Sequence, residues 1–157
     1  MSEIQFHNLL QNPSHENLSQ LERALGLALP SQYKDFLMAT NGGVPSKAQF
    51  SFVGFFGHKN ETIVRKFFSC DPKTPVEKSD LANTYRFYVN NERIPSDVLP
   101  IAIDIADNLI CLDLRSGAAQ SVVYWDHEYE FEKDNGLTVV FSDFMDFVSN
   151  LTSSEGN

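Results

Sequence analysis

The hydrophobic positions along the chain change period several times, and each change marks an element. Leu18, Leu21 and Leu25 recur at helical spacing and predict a helix over 15–25. Ser14, after Pro13, suits its N-cap, and Gly26 supplies the left-handed residue that closes it. Pro30 suits the first turn of a second helix, where its missing N–H would be unpaired anyway. Tyr33, Phe36 and Leu37 share one stripe of that helix, and Asn41-Gly42-Gly43 stops it. After Ser79 or Asp80, Leu81, Tyr85, Tyr88 and Val89 predict a third helix over about 80–90. Phe144, Phe147, Val148 and Leu151 predict a last one, capped by Ser142.

Between the helices the period shortens. Residues 49–56 and 62–68 read as strands, with Gly54 marking a bulge or a close backbone approach. The segment 70–80 holds two prolines and reads as a loop. The runs 98–104, 109–114, 121–126 and 137–141 are β-rich and separated by turn compositions at 106–108, 115–120 and 133–136. The pattern predicts an α+β domain: a mainly antiparallel sheet covered by N-terminal helices and a C-terminal helix. One domain is expected over 1–151, followed by a polar tail at 152–157.

Composition narrows the class. The chain has 157 residues, 42% of them hydrophobic, which suits one globular domain with its own core. No apolar run approaches the roughly 20 residues of a membrane helix. The N-terminus has no basic and apolar leader, and only two cysteines occur, Cys70 and Cys111. They read as buried free thiols, with a disulfide the open alternative. A soluble cytoplasmic protein is expected.

The net charge is −9, unevenly spread. Residues 97–157 carry twelve acids against Arg115 and Lys133, whereas residues 1–96 carry nine acids and ten bases. Such a field repels nucleic acid and anionic membranes and attracts a basic partner, although charge alone is equally explained by solubility, since acidic surfaces are common.

Candidate chemistry is sparse. Gly42-Gly43 follow a helix and do not open one, so they meet its negative end and form no phosphate cradle. The run WDHEYEFE (125–132) is dense in ionisable groups, but read as a strand its neighbours point to opposite faces. Trp125 reads either as a core anchor or as a half-exposed binding residue. A metal-dependent site built from Asp104, Asp113 and His127 is an alternative; against it, the aspartates match no calcium-loop spacing and suit turns and strand ends. GxSxG, HExxH, CxxC and GxGxxG are all absent.

The run NLSQLERALGLALPSQYKDFLMATNGG resembles the N-terminal signature of the SMI1/KNR4 superfamily, also called SUKH. Leu18, Leu21 and Glu22 fit its first helix. Leu29, Pro30, Tyr33, Phe36, Leu37, Asn41, Gly42 and Gly43 fit the LPxxYxxFLxxxNGG part. VLPIAIDIADNLICLDL, SVVYWDHE and SDFMDFVSNL are similar to its later segments, while 57–95 matches poorly. A departure falls at Ala106-Asp107-Asn108, where members often carry a glycine-rich turn. The resemblance implies a non-enzymatic α+β protein with no cofactor and no metal. It implies an immunity protein that binds a cognate bacterial toxin domain, such as a nuclease or deaminase, and occludes its active site. The alternative is a regulatory or scaffold protein of the same type. Under the immunity reading the partner is basic, and the acidic C-terminal part supplies the contacts. They are expected at Asp104, Asp107, Asp126, Glu128, Glu130 and Glu132, with Tyr129 adding apolar area.

Overall fold

The computed structural model describes residues 4–118 and 120–153. Helix α1 (His15–Leu25) starts at Ser14, whose hydroxyl accepts from the Asn17 amide while the Asn17 side chain accepts from the Ser14 amide. This reciprocal cap satisfies two amides that helical bonding leaves over. Gly26, at φ +71°, closes the helix, and its Leu18, Leu21 and Leu25 are buried. Helix α2 (Ser31–Thr40) follows Pro30 and buries Tyr33 and Leu37. Helix α3 (Asp80–Asn90) is capped by Ser79. Helix α4 (Phe144–Ser149) is capped by Asp143, one residue beyond the expected Ser142; Ser142 instead donates to Asp146 through its amide and hydroxyl. A carboxylate accepts more strongly from a helix N-terminal amide than a hydroxyl does.

Two short strands, β1 (Phe6–His7) and β2 (Val44–Pro45), pair with each other. The main sheet holds β3 (Gln49–Val53), β4 (Lys59–Phe67), β5 (Val98–Asp104), β6 (Leu109–Asp113), β7 (Val122–Trp125) and β8 (Leu137–Phe141), in that spatial order and antiparallel throughout. Strands β5, β6 and β7 are buried on both faces, apart from Ile103, which explains their near-continuous apolar sequence.

The sheet is strongly curled. Phe52 of β3 lies 4.4 Å from Tyr124 of β7, and Phe50 lies 5.6 Å from Phe141 of β8, centroid to centroid. A flat sheet would hold β3 and β7 about 19 Å apart, four strand spacings. Register shifts at Val64/Lys66, Pro100/Ala102 and Val122/Val123 supply local bends. Helix α4 plugs the concave side through Phe147, against Phe50, Phe67 and Phe141. On the other face Trp125, fully buried, packs on Tyr88 of α3. Trp125 is therefore the core anchor of its two readings.

The Asn-Gly-Gly stop does more than end α2. Asn41, in the left-handed region at φ 48°, is buried and its side chain brackets the Cys70 amide and carbonyl at 2.8 and 3.0 Å and the Gln11 carbonyl at 2.8 Å. Gly43 exchanges two backbone bonds with Phe67. A Cβ on Gly42 would sit 2.4 Å from the Phe68 carbonyl oxygen. The motif thus docks the end of α2 onto the end of β4. Cys70 and Cys111 are free and buried, and burial pushes the Cys70 thiol up to about 11. Gly54 marks no bulge; it closes the β3–β4 hairpin, its amide donating to the His58 carbonyl at 2.8 Å. Most of the tail expected at 152–157, and residues 1–3, lie outside the described residues. Thr152 itself forms a two-bond bridge with Gln49.

Candidate functional site

The curl leaves one end of the concave face open. A cleft of about 320 Å³ opens there, lined by the β3–β4 hairpin tip, the β5–β6 turn, the end of β7 and the 127–136 connection. Open mouths of curled sheets are recurrent ligand sites. Its aromatic wall is Phe55, Phe56 and Tyr129: Phe55 stacks on Tyr129 at 5.9 Å, and Phe56 meets it edge-on at 5.0 Å. Among the described residues, its carboxylates are Glu61, Asp126 and Glu128, and His58 is the one lining residue able to carry a positive charge.

The connection carrying Glu128 and Tyr129 is not strand. Strand β7 stops at Trp125, and the Asp126 carboxylate accepts from the Glu128 amide at 2.9 Å, starting a 3₁₀ turn over His127–Tyr129. The strand alternation expected for 125–132 therefore fails beyond Trp125. Asp134 and Asn135 are left-handed, and Gly136 (φ +76°) would place a Cβ 2.4 Å from the Tyr129 carbonyl oxygen. That close approach packs the two halves of the connection together and seats Tyr129 on the cleft wall.

Beneath the cleft lies a buried polar network. Asp104 is inaccessible. Its Oδ2 accepts from Thr62 Oγ1 at 2.8 Å and from the Tyr124 hydroxyl; its Oδ1 accepts from the Ala106 and Asn108 amides at 2.9 Å each. Asn108 Nδ2 donates to Tyr124 Oη at 2.9 Å, and Asn108 Oδ1 accepts from the His127 amide at 3.0 Å and faces its Nδ1 at 2.6 Å. Burial, and then the bond to Asp104, push the Tyr124 hydroxyl well above its ordinary value. Asp104, at the end of β5, ties β4, β7 and the β5–β6 turn together at the cleft floor. With every one of these groups bonded inward, the network positions the floor and offers no open acid–base pair.

The expected contact residues divide accordingly. Asp126, Glu128 and Tyr129 converge on the cleft. Asp104 does not reach the surface. Asp107, left-handed in the β5–β6 turn, is exposed and bonded to Arg65 at 2.8 Å. Glu130 faces away: it grips Arg93 at 2.9 and 3.1 Å, while the guanidinium lies 5.0 Å over Trp125 and 5.2 Å over Tyr88. Glu132 is exposed but does not line the cleft. Phe55, Phe56 and Glu61 were not anticipated. The signal for the two phenylalanines was present in FVGFF, where apolar residues crowd a turn that cannot bury them all, whereas nothing in the sequence singled out Glu61.

The three residues of the metal alternative are not brought together. Asp113 pairs opposite Val98 at the far end of the strands from Asp104 and is held by Arg115 at 2.8 Å. Among the described residues no group of three His, Cys, Asp or Glu side chains is placed to hold a metal, and no helix is long and apolar enough to cross a membrane.

The chain is similar to known proteins in sequence and in part in structure. The SPbeta prophage-derived uncharacterized protein YokK of Bacillus subtilis (strain 168) is 27% identical over 153 residues, covering 88% of this chain and 74% of that protein. A crystal structure of a protein from Pseudomonas syringae pv. tomato superposes with a TM-score of 0.47 at 16% identity, covering 74% of this chain and 70% of that one. The model of the SMI1/KNR4 family (SUKH-1) matches residues 12–150, from just before α1 to just after α4. With all four helices and the whole six-stranded sheet inside that match, this chain belongs to the SMI1/KNR4 family.

Proposed function

We propose that this protein is an immunity protein: in the cytoplasm it binds a cognate toxin domain and covers that domain's active site. Membership of the SMI1/KNR4 family supports the class. The observation that carries the reading is the state of the carboxylates around the cleft. Asp107, Asp113, Glu130 and Asp134 each hold an arginine. Among the described residues, Glu61, Asp126 and Glu128 are in no ion pair, and all three line the cleft.

A toxin domain that acts on nucleic acid, such as a nuclease or deaminase, is basic around its active site, because it must hold phosphate. Unneutralised carboxylates present that surface with the same charge its substrate does. They also steer the encounter at long range. Tyr129, Phe56 (59% exposed) and Phe131 (96% exposed) add the apolar area from which interface hot spots are built. Asp126, Glu128 and Tyr129 form the centre of the proposed contact, with Asp107 and Glu132 at its rim.

Co-expression with the product of the adjacent gene tests this. The expected result is a complex that survives gel filtration, with toxin activity abolished by one equivalent of this protein. A neighbour that neither co-elutes nor loses activity removes the immunity reading in favour of a regulatory or scaffold role.

A further inference from the structure

We propose that the cleft at the mouth of the curled sheet is a receptor for an arginine side chain of the partner, inserted between the Tyr129 wall and the Asp126 and Glu128 carboxylates. This rests on the reading of the protein as a binder of a basic domain, and adds which group enters and where.

The molecule itself contains the pattern in filled form. Arg93 lies over the rings of Tyr88 and Trp125 and is gripped by both Glu130 oxygens, so aromatic faces and a carboxylate fork share one guanidinium. Among the described residues, the cleft carries the same complement without an arginine or lysine to fill it. Phe55, Phe56 and Tyr129 supply the aromatic surface; Asp126 and Glu128 supply the carboxylates, from the same short connection. Of the described lining residues, His58 alone can carry a positive charge.

Arginine suits this site better than lysine on three counts. Its plane stacks on a ring, its fork matches a carboxylate, and it sheds water more readily than an ammonium. The cavity, about 320 Å³, exceeds one side chain and admits the loop tip that carries it. The floor is prebuilt: the Asp104–Tyr124–Asn108 network is bonded within the fold, so entry requires no rearrangement beneath the guest.

The probe is acetyl-Gly-Arg-Gly-amide, with its citrulline and lysine analogues, titrated into the uniformly labelled protein and followed by amide chemical shifts. The arginine peptide is expected to move the amides of residues 54–62, 126–129 and 136, while leaving those around Gly26 and Asp97 in place. Citrulline, which keeps the shape and loses the charge, is expected to produce no saturable shift, and lysine to bind roughly threefold or more weakly. Asp126→Asn with Glu128→Gln, and separately Tyr129→Ala, are each expected to weaken the arginine peptide about three- to tenfold. Unchanged binding in these variants, equal binding of citrulline or lysine, or shifts spread over the whole acidic surface would each overturn the proposal. The double variant is also assayed against the product of the adjacent gene. If that complex forms with undiminished affinity, the insertion is wrong while the immunity reading stands. If the peptide binds as described but the neighbour does not, the immunity reading falls and the arginine site remains.

Discussion

Asp104 shows how much one carboxylate can hold. Two backbone amides and two hydroxyls converge on it from β4, β7 and its own turn, and removing the acceptor leaves all four without it, three of them in buried bonds. Asp104→Ala is therefore expected to lower stability by about 3 kcal/mol, read as a drop in the urea midpoint at unchanged slope, with Tyr124→Phe costing roughly 1 kcal/mol. From the sequence, Asp104 and Asp126 are indistinguishable: each follows a β-rich run. What separates them is the direction each faces once the strands pair, and spacing alone does not encode that. Cys70 gives a second expectation at this scale. Its thiol is raised to about 11 by burial, then by the Asp71 and Asp80 charges. Below about pH 9 the thiol is protonated in both folded and unfolded chains and its contribution is intact. Above that the unfolded chain loses the proton first, so stability falls until the folded thiol titrates near pH 11. Urea unfolding at about pH 8 and about pH 10 checks this, and Cys70→Ala is expected to reduce the difference. Buried Tyr33 and Tyr124, shifted the same way, extend the decline to higher pH.

At the scale of elements, two glycines that end helices differ in kind. Gly26 and Gly42 share a left-handed φ, +71° and +72°, but a Cβ at Gly26 meets nothing within 4 Å whereas at Gly42 it strikes the Phe67 and Phe68 carbonyls. Gly26→Ala is expected to cost about 1 kcal/mol, from conformation alone. Gly42→Ala is expected to cost more than about 2 kcal/mol, because α2 must also lift off β4; thermal denaturation of the two variants separates the effects. The helices were legible because each carried an apolar stripe and a capping residue or stop at one end, and α1 and α3 begin and end where their patterns do. Strands β1 and β2 were not, since two residues have no period. The 3₁₀ turn at His127–Tyr129 was missed for a different reason. Its cause is one carboxylate-to-amide bond from Asp126, within a run whose composition still reads as strand.

For the molecule as a whole, the property that creates the site is curvature. Binary patterning places the strands and their order follows from short antiparallel connections, yet nothing local states that β3 will reach β7. Three register shifts and a cluster of phenylalanines do that work together. The hairpin tip then closes over Glu128 and Tyr129, so residues 54–61 join a site the sequence assigned wholly to the acidic C-terminal part. That part proved more neutral than its count, because arginines hold four of its aspartates and glutamates. Among the described residues, Glu61, Asp126 and Glu128 are carboxylates at the cleft that no ion pair neutralises, and the central claim is that they guide a basic toxin domain onto this mouth. Stopped-flow association with the purified toxin domain, over about 20 to 500 mM salt, tests that most directly. The wild-type rate is expected to fall about tenfold or more across the range, and Asp126→Asn with Glu128→Gln to associate more slowly with a flatter salt dependence. A wild-type rate indifferent to salt, or a double variant that follows the wild-type curve, would contradict the account.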